Sequence, residues 1–127
     1  MSKKGIHTSD APKAIGPYSQ AVRIENFLFC SGQVGINPKT NKIVDGGIKK
    51  QTKQVIENLI KVLKAAGGSI NNVVKTTVYL MDLGEFEEMN KVYAEFFKKP
   101  YPARATVQVA KLPRGAKIEI EAVAYIN

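Results

Sequence analysis

The sequence predicts an α+β fold, a mixed β-sheet with two helices packed on one face. Apolar residues recur at helical spacing over two stretches, 48–66 and 86–97. Runs rich in β-branched residues lie before, between and after them. Turn residues separate these runs at regular intervals, which gives the order β-β-α-β-α-β-β. Helices alternating with strands in this way stack as two layers around one core.

Residues 22–34 read as two short strands around Glu25-Asn26, a hairpin signal. Residues 37–42 form a loop rich in Asn, Pro and Lys. Ile48, Val55, Ile56, Leu59, Val62, Leu63 and Ala66 then line one face of an amphipathic helix. Asp45 reads as its start signal, and Gly67-Gly68 as its stop. Residues 73–80 read as a strand. Asp82, with Glu85 three positions later, fits a second helix start. Phe86, Met89, Val92, Tyr93, Phe96 and Phe97 give that helix its apolar stripe, which helical packing alone explains. Pro100 and Pro102 end it. Two strands near 104–110 and 117–126 close the chain, joined by a loop centred on Pro113-Arg114.

The chain has 127 residues with 44% hydrophobic content, enough for one domain, 1–127, with a real core. Its single Cys excludes an internal disulfide, and with the lone His leaves too few soft ligands for a zinc site. Any Ser-His-Asp triad would rest on His7, near the terminus, so His7 is given no role. The residues Met1 to His7 include Lys3 and Lys4 but no apolar run after them, unlike a signal peptide. No apolar run is long enough to span a membrane, and a cytoplasmic protein is expected. The net charge of +8 attracts anions, whether nucleic acid, acidic lipid or small carboxylates; a Lys-rich surface that serves solubility is the plainer explanation.

Alternation in the last strand sends Ile118, Ile120, Ala122, Ala124 and Ile126 to one face and Lys117, Glu119, Glu121, Val123 and Tyr125 to the other. In the strand before it, Ala105, Val107 and Val109 oppose Arg104, Thr106 and Gln108. A hairpin between the two, with the apolar sets facing the helices, would put Gln108 across from Glu119 and Thr106 across from Glu121, with Arg104 on the same face. That face is either solvated or packed against other subunits with a polar site in the seam.

Five segments occur in register: Ala14-Ile15-Gly16-Pro17-Tyr18-Ser19-Gln20, Cys30-Ser31-Gly32-Gln33, Val74 to Leu80, Tyr101 to Val107 after Phe97, and Leu112-Pro113 before Ile118 to Ala122. With them the chain closely resembles the RidA/YjgF family of reactive intermediate imine deaminases, from about residue 6 to the C-terminus. The resemblance implies a chorismate-mutase-like fold and a homotrimer whose sheets line a central barrel, with three clefts between chains. It implies hydrolysis of 2-imino acids, formed from enamino acids such as 2-aminoacrylate, to 2-keto acids and ammonia. The enamines would come from pyridoxal-phosphate-dependent Ser/Thr dehydratases. No cofactor or metal of the protein's own is implied.

An imine is already an electrophile, so water can add without a metal or a covalent nucleophile. The resemblance gives Arg104 the substrate carboxylate, where bidentate geometry orients the C=N bond. It gives Glu119 the water and its proton. Tyr18, Ser31 and Gly32 match the family's pocket, and Asn90 is a further match in the second helix. Glu121 competes with Glu119 from the same face. Tyr18 is otherwise a turn aromatic, and Arg104 a strand-edge Arg. Cys30 is read as a small buried hydrophobe rather than a nucleophile. Many relatives carry Cys where this chain has Thr106, a position that the hydrolysis does not require. Two other classes of function stay open: an RNA-binding or endoribonuclease-type translation inhibitor, since +8 favours phosphate contacts, and a keto-acid-binding trimer without turnover.

Overall fold

The computed structural model describes residues 2–127. Eight strands and two α-helices occur: β1 (Lys4–Ile6), β2 (Ala21–Ile24), β3 (Phe27–Val34), β4 (Ile36–Asn37), β5 (Lys42–Ile43), α1 (Gly47–Ala65), β6 (Val73–Leu80), α2 (Phe86–Phe96), β7 (Ala103–Gln108) and β8 (Ile118–Tyr125). Six strands make one mixed sheet in the order β1-β2-β3-β8-β6-β7, and β4 and β5 pair separately across the 37–42 loop.

The β2–β3 hairpin turns at Glu25, which adopts a left-handed φ of 52°. The helix over 47–65 forms as its apolar spacing predicts, burying Ile48, Val55, Ile56, Leu59, Val62 and Leu63. Its start differs from expectation. Gly46, at φ 107°, is the cap and no side chain caps the first turn, so Asp45 takes no part. Two glycines with positive φ make this entry, a conformation an Asp would resist. Asp82 caps a 3-10 turn (Leu83–Glu85) through Gly84 N–H, and α2 starts one residue later.

Both helices share one core with a single face of the sheet. Register places Leu28 beside Ala124, Cys30 beside Ala122, Val78 beside Ile120 and Leu80 beside Ile118, and all of these residues are buried with Leu59, Leu63, Met89 and Tyr93. Burial on this scale is the dominant stabilising term, about 25 cal/mol per Å² of apolar surface. No helix among the described residues is long and apolar enough to cross a membrane.

The expected hairpin between the last two strands does not form. β8 lies between β3 and β6, antiparallel to both, while β7 pairs parallel to β6 at the sheet edge. Strand alternation fixes which side chains share a face of one strand, not which strand lies beside it. Here α2 supplies the crossover that a parallel β6–β7 pair requires. The loop after β7 then carries the chain back to β8. β8 has a full apolar face and takes the interior. β7 follows two prolines and carries Arg104, which suits an edge.

Candidate functional site

The parallel register sets Arg104 beside Thr76, Thr106 beside Val78 and Gln108 beside Leu80. Arg104, Thr106 and Gln108 therefore lie on the helix side of the sheet, contrary to the expected placement with Glu119 and Glu121. Being on an edge strand, Arg104 overhangs α2 instead of entering the core. Its guanidinium carbon lies 4.8 Å from the centre of the Tyr93 ring and 5.4 Å from that of Phe86. A cavity of about 430 Å³ opens beside it, lined by Asn90, Tyr93, Ala94, Tyr101 and Pro102. Asn90 Oδ1 is buried there without a hydrogen-bond partner. A buried acceptor in that state costs about 1–3 kcal/mol until something donates to it. Thr106 Oγ1 is likewise buried and unpartnered.

Glu119 sits on the other face. It pairs across the ladder with Tyr79, while Arg104 is in register with Thr76, so the two side chains leave the sheet in opposite directions. A bulge between Cys30 and Gln33 brings Gly32 against the Glu119 carboxylate. A methyl group on Gly32 would collide with Glu119 Oε2 and stand 2.7 Å from its Cδ. Tyr18, Gly32, Arg114 and Glu119 line a second cavity of about 280 Å³. Desolvation raises the Glu119 pKa above 4.5, and the charge of Glu121 raises it further. Glu121 itself accepts a 2.7 Å hydrogen bond from Tyr79 Oη, which leaves Glu119 the carboxylate at the cavity.

The six expected residues thus fall into two groups. Asn90 and Arg104 stand on the helix side of the edge strand; Tyr18, Gly32 and Glu119 stand on the opposite face. Ser31 is near the second group, but its hydroxyl donates to Ser19 O at 2.6 Å and its N–H to Gln20 O. These two bonds tie down the segment that follows Tyr18. Cys30 is buried, and burial pushes its thiol pKa up to about 12, which makes it a packing residue.

The endoribonuclease L-PSP family model matches residues 8–126. The chain belongs to this family, that of RidA, YjgF and RutC. Within the RidA/YjgF/RutC family it is 56% identical over 123 residues to a RutC family protein of Pyrococcus horikoshii, covering 97% of this chain and 98% of the relative. It is 49% identical over 124 residues to human 2-iminobutanoate/2-iminopropanoate deaminase, covering 98% and 90%. Among solved structures, Escherichia coli TdcF with bound serine matches with a TM-score of 0.92 and 41% identity, over 98% of this chain and 99% of that one. The fold expected from the family, a mixed sheet carrying two helices, is the fold observed.

Several residues that shape these two groups were not singled out by the sequence of this RidA-family chain. Phe86 and Tyr93 read as core stripe, yet their rings face Arg104. Gln20 is buried and holds the N-terminal segment: Oε1 accepts from Thr8 N–H, and Nε2 donates to Thr8 O and Pro12 O at 3.0 and 2.8 Å. Its place two positions after Tyr18, in a Gly-Pro-Tyr-Ser-Gln run, is the one signal that could have marked it. Arg114, at φ 61°, donates to Asn41 O and so fixes one wall of the Glu119 cavity. Nothing in its local sequence marks that contact.

Proposed function

We propose that this protein hydrolyses reactive 2-imino acids, the tautomers of short enamino acids such as 2-aminoacrylate, to 2-keto acids and ammonia. The observation that carries this is the division of the site. A guanidinium without a carboxylate partner lies on one face, and a carboxyl with a raised pKa lies on the other. The 49% identity to a named 2-imino acid deaminase and the serine bound to TdcF point to the same class of small ligand.

The two groups act on one substrate when two copies of the chain meet. Arg104 grips the substrate carboxylate and fixes the C=N bond in position. Water held at Glu119 adds its oxygen to the imine carbon, and its proton passes through Glu119 to nitrogen. The resulting 2-amino-2-hydroxy acid takes a second proton on nitrogen, the C–N bond breaks, ammonia leaves, and the hydroxyl proton departs as C=O forms. Tyr18 and Gly32 bound the water side, and Asn90 lines the cavity beside Arg104 on the carboxylate side. These steps use no cofactor.

The assembly in this proposal is a homotrimer whose sheets line a central barrel. Phe27, Phe29 and Tyr125 support it. They stand 44%, 48% and 40% exposed as one aromatic patch on the sheet face that carries no helix. The substrate would come from pyridoxal-phosphate-dependent Ser/Thr dehydratases in the same compartment, the cytoplasm.

The test is a coupled assay. A Ser/Thr dehydratase generates the imine in the presence of semicarbazide, and keto acid is measured against semicarbazone. Wild-type protein should divert flux to keto acid, and Arg104→Ala should lower kcat/KM by about 10²-fold, the worth of a charge-assisted bidentate contact. Keto acid at the level of the blank overturns the deaminase reading, and equal diversion by both proteins overturns the site.

A further inference from the structure

Arg104 is held in an unusual way for a ligand-binding cation. Among the described residues the one ion pair joins Lys117 to Glu85, and no carboxylate reaches the Arg104 guanidinium. Two rings from α2 face it instead, Tyr93 at 4.8 Å and Phe86 at 5.4 Å. Tyr93 is fixed from two sides. Its ring stacks on Phe97 with centroids 4.2 Å apart, and its hydroxyl shares a buried 2.7 Å hydrogen bond with Thr76 Oγ1. Thr76 is the register partner of Arg104 on the neighbouring strand. Strand β6, helix α2 and strand β7 thus meet in one triangle of side chains.

We propose that Phe86 and Tyr93 are positioning residues that hold the Arg104 guanidinium by their ring faces, with Thr76 fixing the Tyr93 ring, so that the cation is oriented but not neutralised before a carboxylate binds. The proposal rests on Arg104 as the carboxylate anchor. A protein carboxylate could orient the guanidinium as well, but it would occupy the N–H edges that the substrate needs and would have to be displaced. A ring face attracts the cation through its quadrupole and leaves those edges free. The planar guanidinium suits this hold; the compact ammonium of Lys does not.

The experiment uses the intact protein and 2-oxobutanoate as probe, with binding followed by calorimetry. Phe86 is part-exposed, so Phe86→Leu retains the fold, which a thermal melt verifies. Phe86→Leu should weaken binding about two- to fivefold, and Phe86→Tyr should restore it. The Arg104 side-chain Nε–H proton, shifted upfield by the rings in the free wild-type protein, should move downfield in Phe86→Leu. In an Arg104→Lys background the same substitution should cost less than it does in wild type. An equal cost in both backgrounds, or an unmoved Arg104 resonance, overturns the positioning role. Wild-type affinity in Arg104→Ala overturns the anchor itself; Arg104→Ala impaired with Phe86→Leu unchanged overturns the ring clamp alone.

Discussion

Gly32 gives the Glu119 carboxylate the space that any side chain at position 32 would fill. The contact exists because the β3 bulge turns the backbone of residues 31–32 toward β8. The atoms that an added methyl would strike belong to the far end of a flexible side chain, not to backbone. Gly32→Ala should therefore fold with nearly unchanged melting temperature while Glu119 is pushed aside. Displacement of about 1 Å at a reacting group is worth about 10²-fold in rate. Measuring kcat and the melting curve together checks this; a fall in both by structural damage would count against it.

Titration of Glu119 has a definite sign. Its folded pKa is raised, so the protonated form is favoured in the fold. The associated stability is present below the unfolded value near 4.5 and is lost as pH rises through the folded value. Glu119→Gln should thus stabilise the protein at neutral pH, and the gain should vanish toward pH 4, as read by denaturant midpoints. If Glu119 accepts the water proton, the acid limb of kcat should fall at a pH above 4.5 and be absent from the residual rate of Glu119→Gln.

Because Arg104 and Glu119 leave one sheet on opposite sides, each active site should draw them from different chains. Arg104→Ala and Glu119→Gln proteins, each strongly impaired, should regain activity when unfolded and refolded together. In a cyclic trimer mixed one to one, about one site in four receives both intact residues. Recovery near a quarter of wild-type activity is the expected outcome. No recovery, with mixed trimers demonstrated by mass, would refute the shared site.

Gln20 ties residues 8–12 to the sheet just ahead of Tyr18. Gln20→Ala leaves the part-buried carbonyls of Thr8 and Pro12 without this donor and should destabilise the chain by about 1 kcal/mol. It should also raise KM, because the tether of the Tyr18 wall is lost. Hydrogen exchange at Thr8, protected by Gln20 Oε1, is the direct readout.

Much of this architecture was legible in the residues. The stripe from Ile48 to Ala66 fixed α1, and the alternation from Ile118 to Ile126 fixed the faces of β8, because one period is 3.6 and the other 2. The neighbours of β7 were not legible. Alternation is the same for an antiparallel hairpin and a parallel crossover, so the pattern around Arg104 was compatible with either face. Arg104, Glu119, Tyr18, Gly32 and Asn90 were singled out by motif context, and their division into two groups depends on the sheet order, which that context does not carry. The hydrogen bond from the Ser31 hydroxyl to Ser19 O was not legible either, because it is made to a chain segment twelve residues earlier.

Cys30 carries the only thiol of the chain, enclosed between the sheet and the helices with its proton firmly held. Thiolates attack imines and other electrophiles far faster than buried thiols do. A catalyst that disposes of such compounds is exposed to them at every turnover. With the proposed imino-acid substrate, burial of the only thiol would keep it from adding to that substrate, a form of self-immunity built into the packing rather than into the site.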